Sequence, residues 1–88
     1  MREVIVHREP RKYVSRLPNP YRQRILDGIV GLKEVPPKGD IKPIVDKKGV
    51  YRLKVTSYRI IFEIDADDEN VIYVTRVASR GQVYKVRR

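Results

Sequence analysis

The stretch that decides the fold is VYRLKVTSYRIIFEI, residues 50–64. Two runs within it, 50–55 and 58–64, alternate side chains with the period of a strand that buries one face. Thr56-Ser57 between them leaves room only for a tight hairpin turn. Alternation assigns the faces. Tyr51, Leu53 and Val55 share one side with Ile60, Phe62 and Ile64, which are the expected core. Arg52 and Lys54 share the other side with Arg59, Ile61 and Glu63. The hairpin is therefore expected to carry Arg52, Lys54 and Arg59 together on its solvent face.

Outward from the hairpin the pattern continues. Residues 71–77 (VIYVTRV) alternate again, across an acidic turn from Asp65 to Asn70, so an antiparallel meander is expected. Upstream, residues 41–45 read as a short strand that Pro43 confines to an edge, followed by a turn at Lys47-Lys48-Gly49. Residues 3–7 (EVIVH) read as a first strand.

Between these lie two helical patterns. Tyr13, Val14 and Leu17 recur at helical spacing in residues 9–17, with Pro10 in the first turn and Pro18 as the stop. Asn19 is placed to cap a second helix with Pro20 at its first position. Tyr21, Ile25, Ile29 and Leu32 then form one apolar stripe, Gly28 and Gly31 allow close packing, and Pro36-Pro37 and Gly39 end the helix. Tyr13 and Tyr21 are expected in the core. The class is α+β: an N-terminal strand, an αα-hairpin, then an antiparallel β-meander with the helices packed on one face of the sheet. One domain is expected over residues 1–88.

Composition removes several functions. The 88 residues are 41% hydrophobic and 35% charged, too apolar for a disordered chain. No apolar run reaches the roughly 18–20 residues of a membrane span. The N-terminal MREVIVHREP has too short an apolar core for a secretory signal, so a cytoplasmic location and no membrane partner are expected. The absence of cysteine excludes disulfides, thiolate nucleophiles and Cys-zinc sites. The single histidine, His7, excludes a paired-histidine ribonuclease and a multi-histidine metal site, and reads as structural or solvated. The Asp65–Glu69 run lacks the spacing and glycine of a calcium loop and reads as a solvated turn, so no metal is expected.

Charge points to a polyanionic partner. Twenty Lys and Arg against eleven Asp and Glu give a net +9. The signs are segregated: five bases and no acid from Lys47 to Phe62, five acids and no base from Glu63 to Glu69, then five bases and no acid from Asn70 onward. Charge serving only solubility is interspersed. This pattern leaves a continuous positive surface suited to nucleic acid.

The order β-α-α-β-β-β, the pair of segments Tyr51-Arg52-Leu53-Lys54-Val55 and Tyr58-Arg59-Ile60-Ile61-Phe62, and the closing Val77-Ala78-Ser79-Arg80-Gly81-Gln82-Val83-Tyr84 resemble the RelE superfamily of bacterial and archaeal toxins, closest to its compact, basic archaeal-type members. The resemblance covers almost the whole chain. It implies a type II toxin that enters the ribosomal A site and cuts messenger RNA there, through attack of a ribose 2′-hydroxyl on the adjacent phosphorus, without metal or other cofactor. It also implies an antitoxin partner that wraps around the toxin.

By position in the motif, the resemblance implies catalytic roles for Lys54, Arg59, Arg80 and Tyr84 and a place at the site for Arg52; Arg52 and, from the positive surface, Lys47, Lys48, Arg76 and Lys85 are the expected RNA contacts. Lys54, crowded by Arg52 and Arg59, is the candidate base, since like charges disfavour its protonated form. Arg59 and Arg52 suit the scissile phosphate, Arg80 the leaving group, and Tyr84 a base or the phosphate. Arg52 departs from the family, where many active members have lysine; arginine stays protonated and cannot serve as a base. Two other readings use the same scaffold: a ParE-like toxin that binds DNA gyrase, and a catalytically silent module that binds nucleic acid or antitoxin.

Overall fold

The computed structural model describes residues 2–79. The element order is β1 (Glu3–Val6), α1 (Arg8–Ser15), α2 (Tyr21–Gly31), β2 (Asp40–Pro43), β3 (Val50–Val55), β4 (Tyr58–Ile64) and β5 (Val71–Ser79). The strands form one sheet in the order β1-β5-β4-β3-β2. The expected meander runs antiparallel from β2 to β5. β1 closes the other edge by pairing parallel to β5, with Ile5 opposite Tyr73, so the sheet is mixed.

Both helices lie on one face, α1 against β5 and α2 against β3. Between helices and sheet, Val14, Ile25, Ile29, Leu32, Leu53, Ile60, Phe62, Ile72, Val74 and Val77 are buried as one cluster. Tyr51 stacks on Phe62 with ring centroids 5.6 Å apart. Gly28 lets α2 approach the sheet: a Cβ there would lie 2.9 Å from Val55 Cγ2. Among the described residues, no helix is long and apolar enough to cross a membrane.

Several boundaries differ from expectation for local reasons. α1 stops at Ser15, and the Arg16 and Leu17 amides turn back to Tyr13 and Val14. Leu17 precedes a proline, which disfavours helical backbone. α2 begins at Tyr21, with Pro20 rather than Asn19 as its N-cap and no side-chain cap. The Pro18 carbonyl accepts the Arg22 amide at 3.1 Å, the kind of donor an Asn19 cap would serve. Tyr21 is not in the core; it is 41% exposed, its ring tilted against Tyr58 at 6.0 Å. β2 ends at Pro43, which lacks an amide to extend the ladder.

The pairing of β4 with β5 contains a β-bulge. Phe62 faces Val74 while Ile61 faces Arg76, leaving Thr75 as the extra residue, its hydroxyl 3.4 Å from the Ile61 carbonyl. Strict alternation from Ile72 and Val74 would send Arg76 into the core. The bulge reverses the parity, so Val77 is buried and Arg76 joins the face away from the helices.

Candidate nucleic-acid interface

The register lays the open face out in rows. Lys42, Arg52, Ile61 and Arg76 form one row across β2 to β5, because each is the pairing partner of the next. Asp40, Lys54, Arg59 and Ala78 form the adjacent row. Two of these cross-strand pairs, Lys42 with Arg52 and Lys54 with Arg59, set cation against cation. Like charges directly opposite cost roughly 0.2–1 kcal/mol per pair. An anion laid over the rows would relieve that repulsion.

Arg59 is only 8% exposed. Its Nη1 donates to the Tyr58 carbonyl at 3.2 Å, and its buried Nε has no partner among the described residues. The buried Nε of Arg76, diagonal to it, is also unpartnered. Buried cations without partners are expensive, and a planar guanidinium is built to take two phosphate oxygens at once. The sole ion pair among the described residues joins Arg52 Nη2 to Asp40 Oδ1 at 3.7 Å. Asp40 is the one carboxylate in the two rows, and expectation from the sequence omitted it. The alternation begins to read as a strand only at Ile41, so nothing there places Asp40 across from Lys54.

The third row, Val50, Glu63, Tyr73 and Ile5, turns acidic. The Tyr73 hydroxyl donates to Asp65 Oδ1 at 3.0 Å, and this bond, with the Asp65 charge, pushes the phenol above its ordinary value. Asp65 Oδ2 also accepts the Asp67 and Asp68 amides, which fixes the acidic turn as expected. His7 lies against Tyr73 with ring centroids 5.7 Å apart. Among the described residues, no group of three or more His, Cys, Asp or Glu side chains could hold a metal ion.

The expected site residues thus separate into three groups. Lys54, Arg59, Arg52 and Arg76 share one basic surface on the open face. Lys47 and Lys48 are exposed in the β2–β3 turn at the other end of β3, where the Gly49 carbonyl accepts the Ile64 amide, near the acidic turn. Lys54 is four steps along the strand from Val50, about 13 Å, so these two lysines stand apart from the rows. Arg80, Tyr84 and Lys85 lie outside the described residues. The strand that leads toward them ends at Ser79, the partner of Tyr58 and the next residue after the Arg59–Ala78 pair. Tyr13 packs beside Tyr58 at this end; burial, then the neighbouring Tyr58, raises its phenol above the usual value against a backbone hydrogen bond with Ser79.

Comparison with known proteins agrees with this architecture. Residues 6–84 match the family described as ParE toxin of type II toxin-antitoxin system, parDE. The RelB-RelE antitoxin-toxin complex from Methanococcus jannaschii contains a similar chain, 26% identical with a TM-score of 0.75, covering 96% of this chain and 99% of that one. A chain of the archaeal RelE-RelB complex from Pyrococcus horikoshii is similar at 23% identity and TM-score 0.75, covering 92% and 97%. The isolated E. coli RelE toxin shares the fold at 19% identity and TM-score 0.75, covering 97% and 93%. No curated protein matches the chain significantly. With a family match across nearly all of its length and the RelE architecture throughout its described residues, the chain belongs to the RelE/ParE superfamily, as a toxin of a type II toxin–antitoxin system.

Proposed function

We propose that the chain is a ribosome-dependent endoribonuclease that cuts messenger RNA in the A site and so inhibits translation. Lys54 takes the proton of a ribose 2′-hydroxyl. The 2′-oxygen attacks the adjacent phosphorus as the bond to the 5′-oxygen breaks, and the 5′-oxygen takes a proton from solvent, giving a 2′,3′-cyclic phosphate and a free 5′-hydroxyl. Arg59 and Arg52 hold the scissile phosphate, Arg80 neutralises the leaving oxygen, and Tyr84 stacks on a base or orients the phosphate. Arg76 and Lys85 contact the RNA backbone, and Lys47 and Lys48 contribute longer-range attraction. The chemistry assigned to these side chains calls on no metal or small-molecule cofactor.

One observation carries this reading: Lys54 and Arg59 face each other across β3 and β4, neither held in an ion pair among the described residues, and are flanked by Arg52 and Arg76. The partners follow from it. A ribosome presenting mRNA supplies the anion, in the cytoplasm. A cognate antitoxin, as in the RelB-RelE complexes, covers the basic surface with an acidic amphipathic segment.

The family description favours a second reading, a ParE-like toxin acting on DNA gyrase. One experiment separates the two. A defined message is translated in vitro with purified protein, and RNA 5′ ends are mapped. Codon-phased cuts that need ribosomes support the nuclease; inhibited supercoiling without cuts supports the gyrase reading. Neither result would leave a catalytically silent binding module. Arg80→Ala and Tyr84→Ala are each expected to relieve growth arrest in a chain that still folds; full toxicity in both would remove them from the site.

A further inference from the structure

We infer that Asp40 is a positioning residue: its carboxylate competes with RNA phosphate for Arg52 and so directs the scissile phosphate toward Arg59. The inference rests on the nuclease reading for its catalytic part. Asp40 is the register partner of Lys54, yet its ion pair runs diagonally to Arg52, Nη2 to Oδ1 at 3.7 Å. The Arg52 side chain is 13% exposed and that of Asp40 52%. A pair this open is weak enough for a multidentate phosphate to displace. Until then it offsets the charge of Arg52.

The remaining charge is therefore lopsided. Lys42, Lys54, Arg59 and Arg76 have no ion-pair partner among the described residues, but Lys42 and Lys54 stand beside Asp40, whereas Arg59 and Arg76 lie two and three strands from it on β4 and β5. A phosphate approaching the Lys42–Arg52 edge meets a carboxylate. A phosphate over Arg59 and Arg76, whose row neighbours are Lys54, Ala78 and Ile61, meets none. Asp40 thus lowers affinity for RNA in general while favouring the one register that places a 2′-hydroxyl beside Lys54.

The test uses Asp40→Asn and Asp40→Glu in the full chain, with a 2′-O-methylated single-stranded RNA octamer that cannot be cut. Fluorescence anisotropy is read across a salt series. Asp40→Asn should bind about fivefold tighter, the factor that loss of one exposed competing ion pair supports. Its plot of log affinity against log salt should steepen by about 0.7, one added phosphate contact. Asp40→Glu, which keeps the charge, should stay near the parent. In an Arg52→Gln background, Asp40→Asn should lose most of its effect, which separates competition for Arg52 from any general change in charge or folding. On programmed ribosomes, Asp40→Asn should hold or lower KM while kcat falls roughly fivefold, a split that a merely structural role would not produce.

Unchanged or weaker octamer binding by folded Asp40→Asn, or an equal effect with and without Arg52, would overturn the inference. A parent protein that binds the octamer but never cuts ribosome-bound message would instead overturn the nuclease reading, with the binding results still deciding what Asp40 does to Arg52.

Discussion

Lys54 on β3 and Arg59 on β4 are direct cross-strand partners, one exposed and the other buried, and neither makes an ion pair among the described residues. A pair of this kind lowers stability, so its presence is best explained by what it binds.

Lys54→Ala is expected to divide function from folding. Ribosome-dependent cleavage should fall by about a hundredfold or more, as for loss of a proton-transfer group. Stability should hold or rise by about 0.2–1 kcal/mol, because the repulsion with Arg59 is gone. Mapped 5′ ends and a denaturant midpoint on the same preparation check both. Lost activity together with lost stability would mean that Lys54 is structural.

Arg59→Met should go further in the same direction. The guanidinium is buried with one backbone acceptor and an unpartnered Nε. An apolar side chain of similar length removes that desolvation, and a gain of about 1–2 kcal/mol is expected alongside loss of cleavage. A lower melting temperature in this variant would contradict the account of Arg59 as an unsatisfied cation.

Gly28→Ala tests how α2 meets the sheet. Alanine favours a helix by about 1 kcal/mol over glycine. Here its Cβ would press on Val55 Cγ2 at 2.9 Å and touch Leu53 Cδ2 at 3.4 Å. Overpacking of about 1–3 kcal/mol should win, so the variant is destabilised. In a Val55→Ala background the space exists, and Gly28→Ala should become neutral or stabilising. Equal effects in both backgrounds would rule out the contact as the cause.

The hydrogen bond from Tyr73 to Asp65 predicts an alkaline signature. The bond raises the phenol above 10.0, so the folded state holds this proton more tightly than the unfolded chain does. Its contribution is complete below 10.0 and is lost as pH rises through the raised value. Tyr13, raised mainly by burial, adds to the same decline. Urea midpoints measured from neutral to strongly alkaline pH should fall less steeply in Tyr73→Phe than in the parent; parallel curves would mean that the bond is not made in solution.

The local parts of this architecture were legible and the non-local parts were not. Alternation through residues 50–64 placed Arg52, Lys54 and Arg59 on one face and Leu53, Ile60 and Phe62 on the other, as observed. That reading needs only neighbours in the chain. Whether β1 pairs with β5, and in which direction, depends on contacts some seventy residues apart, as between Ile5 and Tyr73. The burial of Arg59 and the reach of Asp40 to Arg52 depend on strands that the chain assembles from separate segments. Tyr21 belongs to a helical stripe by spacing, yet it sits at the helix end, where the core has run out. Arg80, Tyr84 and Lys85 were singled out by motif, and they lie outside the described residues.

Thr75 has a consequence for how relatives are compared. Below it the strand shows oil to the helices on even numbers, and above it on odd ones. An alignment that closes this one position would still match hydrophobic with hydrophobic over half of β5, while silently exchanging inside for outside over the rest. Any count of shared basic residues at Arg76 is meaningful only once that offset has been respected.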